Sequence, residues 1–368
     1  KGNPLNNLAR ETIQNSLDAP RPDDDPLITV RFNSFQVPTT EIPNVDKLRT
    51  TLTACLRSDD FYQEAKRADI LEAKRLLDGS KLTVLSIKEE GTLGMKGPCT
   101  PGEPFYKYMK ARSQSGKEAD SRGSHGQGKA APILCSHLHT IFASSVFEDN
   151  GRQNSLLMGR ATLSSHYDVE DNTIIRNNVG FWGDKFRPVS YSDAIPSWLK
   201  REQVGTDIHV IGFRAVKDWE LVLAASVVQN FFTAINSGSL TVHINDFVIN
   251  SETQEHVFSS TKILRVLEGT QDVKKQDFIS AKGLFEAYKD PEFTESGEIN
   301  FLGHVKFFMR RREDPSEKRI GLIRNDMFIT SVIPYLKRFS SRLDGFDVVI
   351  EPVTTEGCNL IRSMEPPA

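Results

Sequence analysis

The run Leu82-Thr83-Val84-Leu85-Ser86-Ile87 reads as a buried β-strand, and it feeds directly into Glu89-Glu90-Gly91-Thr92-Leu93-Gly94-Met95. An apolar stretch this short, bounded by a glycine turn, suits a strand covered by other layers. Acid followed by two glycines at a strand end has the composition of a site, because glycine lets a backbone come close to a ligand.

The surrounding pattern is mixed. A first helix is expected from about Leu5 to Leu17, ending at Ala19-Pro20-Arg21-Pro22, and a β-rich run follows from Leu27 to Val37. Helical spacing marks Val45 to Arg57 and Asp60 to Leu77. From Ser113 to Lys129 the chain is rich in Gly, Ser and Lys with almost no apolar residue, which reads as a flexible loop entering a helix at Ala130. Strands are expected at about 138–146, 155–165 and 207–213, then an apolar helix from Trp219 to Ile235. From about Ser239 strands (Leu240 to Val248, Ile299 to Met309, Ile320 to Ile329, Asp347 to Ile350) alternate with helices, which reads as a second α+β domain.

Composition removes several classes. The 368 residues carry 46 Lys+Arg against 49 Asp+Glu, a net charge of −3, so the chain does not coat nucleic acid by bulk charge. The longest apolar run, Leu221 to Val228, is broken by Gln229 and Asn230, well short of the roughly 20 residues a bilayer span needs. Cys55, Cys99, Cys135 and Cys358 form no CxxC pair, which fits reduced thiols in a cytoplasmic protein. The start at Lys1 and the stop at Ala368 suggest a piece of something longer.

Two clusters carry chemistry. Glu11, Asn15 and Asp18 are spaced by four and three residues, which places them on one helix face. Gly123-Ser124-His125-Gly126-Gln127-Gly128-Lys129 offers backbone N–H groups, a following helix N-terminus and a mobile cation to phosphate. Ala130 stands where a P-loop has Ser or Thr, and no buried strand precedes Gly123, so the loop is read as phosphate-binding without being a P-loop. His137 and His139 alternate on an expected strand without a third metal ligand. The basic run Arg310-Arg311-Arg312 with Lys318-Arg319 is interrupted by acids and reads as a solvated hairpin.

Taken in order, Glu11-x3-Asn15-Ser16-x-Asp18-Ala19, the acid-glycine turn, the Gly-rich segment ending in Gly128-Lys129, and Gly205-Thr206 before the strand Ile208 to Phe213 resemble the GHKL ATPases. The resemblance covers about the first 235 residues. Within the family, the segment 123–136 and the tail from Leu322 look most like prokaryotic MORC-related ATPases.

The resemblance implies a GHKL (Bergerat) α/β sandwich over residues 1–238 with a lid at about 113–129, followed over 239–368 by an S5-like α+β transducer. It implies that Glu11 activates the water attacking the γ-phosphate and that Asn15 ligates Mg²⁺, with Asp18 in support. Glu89, or else Glu90, takes the place of the family's adenine-reading Asp, with Gly91 and Gly94 approaching the base and Thr206 supporting it. Residues 123–129 would hold the phosphates. A transducer cation completes the set, Arg324 first and Lys306 second.

Function follows as an expectation. ATP and Mg²⁺ are the ligands, and hydrolysis drives lid and transducer closure or homodimerisation in a prokaryotic defence or DNA-transaction protein. The other expectation is a nucleotide-responsive clamp on DNA or a partner protein with little hydrolysis. No membrane partner is expected in either case.

Overall fold

The computed structural model describes residues 4–22, 27–61, 67–111, 130–314, 316–331 and 344–364. Along the chain, Pro4–Leu17 is α1, Ile28–Pro38 β1, Val45–Arg57 α2, Arg67–Leu77 α3 and Lys81–Glu90 β2. Two short helices, α4 (Pro104–Met109) and α5 (Ala130–Leu134), precede β3 (Ser136–Asp149) and β4 (Arg152–Thr162). A small hairpin of β5 (His166–Tyr167) and β6 (Ile175–Arg176) leads to β7 (Val179–Trp182), β8 (Gly205–Phe213) and α6 (Trp219–Asn236). Then come β9 (Leu240–Ile244), β10 (Phe247–Ile249), α7 (Gln254–Ser259), α8 (Thr261–Leu267) and α9 (Lys275–Lys289). The last elements are β11 (Phe293–Ile299), β12 (Gly303–Arg312), β13 (Lys318–Arg324), β14 (Met327–Thr330), β15 (Gly345–Pro352) and α10 (Thr355–Met364).

This is a mixed α+β fold built on one large sheet and one smaller one. The large sheet has eight strands in the order β10-β9-β1-β2-β8-β3-β4-β7, and the smaller has five in the order β11-β12-β15-β13-β14. The expected buried strand is β2, hydrogen-bonded to β1 on one side and β8 on the other. Its alternation feeds both faces. Leu85 and Ile87 join the core shared with α1 and α6, while Leu82 and Val84 join the core shared with α2 and α3. Full burial of each such side chain is worth about 1.5–3 kcal/mol, which is why the strand needs cover on both sides.

The strand after residue 238 does not open a second domain's sheet. β9 pairs in parallel with β1, from Ile28 opposite Leu240 to Phe32 opposite Ile244, and β10 folds back on β9. The large sheet therefore extends to Ile249, and the second sheet begins at Phe293. Local pattern shows that Leu240 to Val248 is strand-like, but a pairing across some 200 residues of chain leaves no local trace.

α6 joins the two sheets. Nearly all of it is buried, and it touches α1, α7, α8, α9 and β14. Among its buried polar residues, Thr233 Oγ1 donates to Asp326 O at 2.8 Å, tying the β13–β14 turn to the helix. One continuous apolar core runs from Leu5 through α6 to Val349.

Candidate functional site

The rotation of α1 is set by polar contacts with α6. Asn6 Oδ1 accepts from Ser226 Oγ at 2.7 Å and from Asn230 Nδ2 at 3.0 Å, and Arg10 Nη1 donates to Asn230 Oδ1 at 2.7 Å. Leu5, Leu8, Ala9 and Ile13 fill the core. At 100° per residue this leaves Glu11 half-buried and Asn15 exposed on a remaining face. Asp18 lies one residue past the helix, exposed, its N–H bonded to Gln14 O at 2.9 Å.

Ser16 turns inward. Its hydroxyl lies 2.8 Å from Glu89 Oε2 and 3.1 Å from Thr12 O, and the charge-assisted bond to the carboxylate is the stronger one. Glu89 ends β2 on the same face as Leu85 and Ile87. Burial raises its pKa above the ordinary carboxylate value, opposed by the hydroxyls of Ser16 and Thr206 and by the charge of Arg201. Thr206 Oγ1 accepts from Met95 N at 3.1 Å, and Ser145 Oγ donates to Met95 O at 3.0 Å. Thr92 Oγ1 beside them is buried, and it too acts on Glu89 in the sense of the other hydroxyls. Glu90 points to the opposite face and pairs with Arg31 at 3.0 Å, so the structure brings Glu89, not Glu90, to Thr206.

The backbone here is held from behind. Arg201 Nη2 donates to Glu89 O at 2.5 Å and to Val204 O at 2.9 Å, while its other amino group pairs with the buried Asp207. Gly91 and Gly94 have φ of +82° and +70°, and a Cβ on either would sit 2.4 Å from a carbonyl, Leu27 O and Val146 O respectively. Their glycine identity is thus explained by the chain's own backbone rather than by the close approach of a ligand.

α4 supplies a residue that the sequence reading missed. The Tyr108 hydroxyl is held firmly protonated by burial and by the charges of Glu89 and Glu11, with Arg160 acting in the opposite sense. Glu11 on α1 and Glu89 on β2 therefore both lie near enough to Tyr108 for their charges to act on it. α4 has six residues in a Gly- and Pro-rich stretch, too short to show a helical period.

Other expected residues fall elsewhere. Gly123, Ser124, His125, Gly126, Gln127, Gly128 and Lys129 lie outside the described residues. Lys306 is exposed on β12, cross-strand from Glu351, and is not brought to the Glu11–Glu89 neighbourhood. Arg324, the first candidate for a transducer cation, is 1% exposed at the end of β13, within the hairpin that docks on α6. His139 Nε2 accepts from Arg214 Nη2 at 3.0 Å across a bulge, which is a structural role. The basic run is no solvated hairpin: Arg312 and Arg319 both pair with the fully buried Asp347, while Arg310 and Arg311 pair with Asp290 and Glu292.

No cluster of three or more His, Cys, Asp or Glu able to hold a metal occurs among the described residues. Mg²⁺ fits this donor set only as an ion that takes most of its oxygens from phosphate and water, with the exposed Asn15 amide as a protein ligand. No described helix is long and apolar enough to cross a membrane.

No family model matches the chain, and no curated protein matches it. Among solved structures, the MutL ATPase domain of Aquifex aeolicus, carrying one substitution, aligns over 97% of this chain and 96% of its own at 10% identity and a TM-score of 0.33. The ATPase region of Saccharomyces cerevisiae topoisomerase II aligns over 94% and 86% at 10% identity and a TM-score of 0.30. At that level of superposition the chemistry has to be argued from the residues themselves.

Proposed function

We propose that this chain is a GHKL-type ATPase module that binds ATP with Mg²⁺ and hydrolyses it. The observation that carries the reading is the joining of Ser16 on α1 to Glu89 on β2 beside Thr206, with Glu11 five residues back along the same helix. Five residues of helix advance about 7.5 Å, so α1 can serve both ends of an extended ligand.

Each residue does one thing. The Glu89 carboxylate accepts the amino group of adenine, and the buried Thr92 hydroxyl and Thr206 complete the polar rim around the base. Asn15 offers its amide oxygen to the metal, which when bound neutralises phosphate charge. Glu11 holds the attacking water and takes its proton. The β13–β14 hairpin, docked on α6 and on Arg10, links the second sheet to the helix that carries Glu11. Nucleotide-driven closure and pairing of two copies belong to the same reading. The finer likeness to prokaryotic MORC-related ATPases rests on sequence motifs alone, and so does a defence or DNA-transaction setting.

The test is Mg²⁺-dependent ATP turnover by the full chain and by Glu11→Ala. Turnover lost in the variant, with ATP binding retained, is the expected result; equal rates in both sink the assigned role. Tight ATP binding without turnover in the parent chain would instead favour the clamp.

A further inference from the structure

Arg160 lies on β4, on the same sheet face as Met158 and the α1–α6 core, with Ile141 and Phe181 as its cross-strand neighbours. One donor is used, Nη1 bonding to Met109 O at 3.1 Å. Its Nε is buried and has no partner, and the residue makes no ion pair among the described residues. Burial lowers its pKa, and Tyr108, which itself senses Glu11 and Glu89, counters this. Lys110, on the residue after α4, sits 5.6 Å from the ring of Phe181 and likewise makes no ion pair among the described residues. Lys110 thus lies over the ring of Phe181, the cross-strand neighbour of Arg160, and neither cation is paired with a carboxylate among the described residues.

A partly desolvated guanidinium with a buried, unpaired Nε is costly to keep in a folded protein. Its planar fork suits the paired oxygens of a phosphate, and a neighbouring ammonium adds charge without fixing direction. We propose that Arg160, assisted by Lys110, is an anion-binding pair that takes the phosphate chain of the nucleotide. The inference rests on the reading of the site as nucleotide-binding and adds to it a phosphate contact from the sheet.

The test is calorimetric titration of the full chain with ATP, adenosine and inorganic tripolyphosphate, in the parent and in Arg160→Met, Arg160→Lys and Lys110→Met. Arg160→Met is expected to weaken ATP and tripolyphosphate about 10- to 100-fold while leaving adenosine within about twofold, since a good charge-assisted contact is worth that much. Its ligand-free melting temperature should be unchanged or higher, because a poorly compensated cation has been removed; a purely structural arginine would lower it. Arg160→Lys, which keeps the charge, should fall between parent and Met if the Met variant folds poorly. ATP bound equally by parent and variants overturns the proposal and leaves the nucleotide reading standing, and equal losses for ATP and adenosine also overturn it. Tripolyphosphate binding that depends on Arg160, without ATP or adenosine binding, supports the anion pair and overturns the nucleotide reading. Binding of none of the three probes by the parent overturns both.

Discussion

Ser16 on α1 donates to Glu89 at the end of β2 across 2.8 Å, and this bond ties the helix bearing Glu11 and Asn15 to the strand end proposed to read the base. A hydrogen bond to an ionised group is worth about 1.5–3 kcal/mol. Ser16→Ala is therefore expected to weaken ATP binding by roughly tenfold or more, with Ser16→Thr recovering part of it. Calorimetry checks this; unchanged affinity in the Ala variant would show that the bond does not position the site.

Glu89 itself carries a pH signature. Its folded pKa lies above the ordinary value of 4.5, chiefly through burial, so the native state holds its proton to higher pH than the unfolded chain does. Stability from this group is fully present below the unfolded pKa and lost as pH rises through the folded one. Glu89→Gln should accordingly gain stability relative to the parent as pH rises, while ATP binding falls because a neutral amide replaces the anionic acceptor. Urea midpoints at about pH 5 and about pH 8 measure the margin between the two proteins. A margin that is the same at both pH values contradicts the assignment.

Behind the carboxylate, Arg201 and Asp207 form an ion pair with both side chains nearly inaccessible, 5% and 1% exposed. Removing one partner of such a pair leaves a buried charge and costs about 3–5 kcal/mol. Arg201→Met should lose most of that amount, tempered by Lys88 at 3.9 Å from Asp207, and should loosen the Glu89 carbonyl. The double variant Arg201→Met with Asp207→Leu should recover much of the stability without recovering nucleotide affinity. Chemical denaturation and calorimetry separate the two effects.

Much of this arrangement was legible in the sequence, for reasons visible in particular residues. α1 and β2 announce themselves because Leu5, Leu8 and Ile13 keep a helical period and Leu82 to Ile87 are uniformly strand-like, and the glycines after Glu89 are required by positive φ at Gly91 and Gly94. Nearness to the strand end favours Glu89 in the sequence while leaving Glu90 open, and it is the pairing of β2 that turns Glu90 to Arg31 on the other face. Tyr108 and Arg160 stayed hidden: one rides a single short turn of helix, and the other is a charge in a strand, which reads as exposed until its neighbours are known. The placing of β9 beside β1 and the burial of Arg312 and Arg319 against Asp347 are likewise products of distant pairing.

His209 gives a prediction independent of any ligand. It lies on β8 on the face opposite Thr206, edge-on to Trp198 at 5.7 Å, with both ring nitrogens buried and without a hydrogen bond. Burial, with Lys88 adding to it, lowers its pKa from 6.5 to about 3, so the folded protein keeps it neutral while the unfolded chain binds a proton below pH 6.5. Its contribution to stability is fully present above 6.5 and is lost as pH falls toward about 3, at up to about 1.4 kcal/mol per pH unit. His137 and His139, also lowered by burial, add to the same trend. His209→Leu removes two orphaned polar atoms and the titration together. It should be at least as stable as the parent near pH 7 and clearly more stable at about pH 4.5. Denaturation midpoints across that range provide the check, and a variant that tracks the parent's acid sensitivity unchanged would place the titrating group elsewhere.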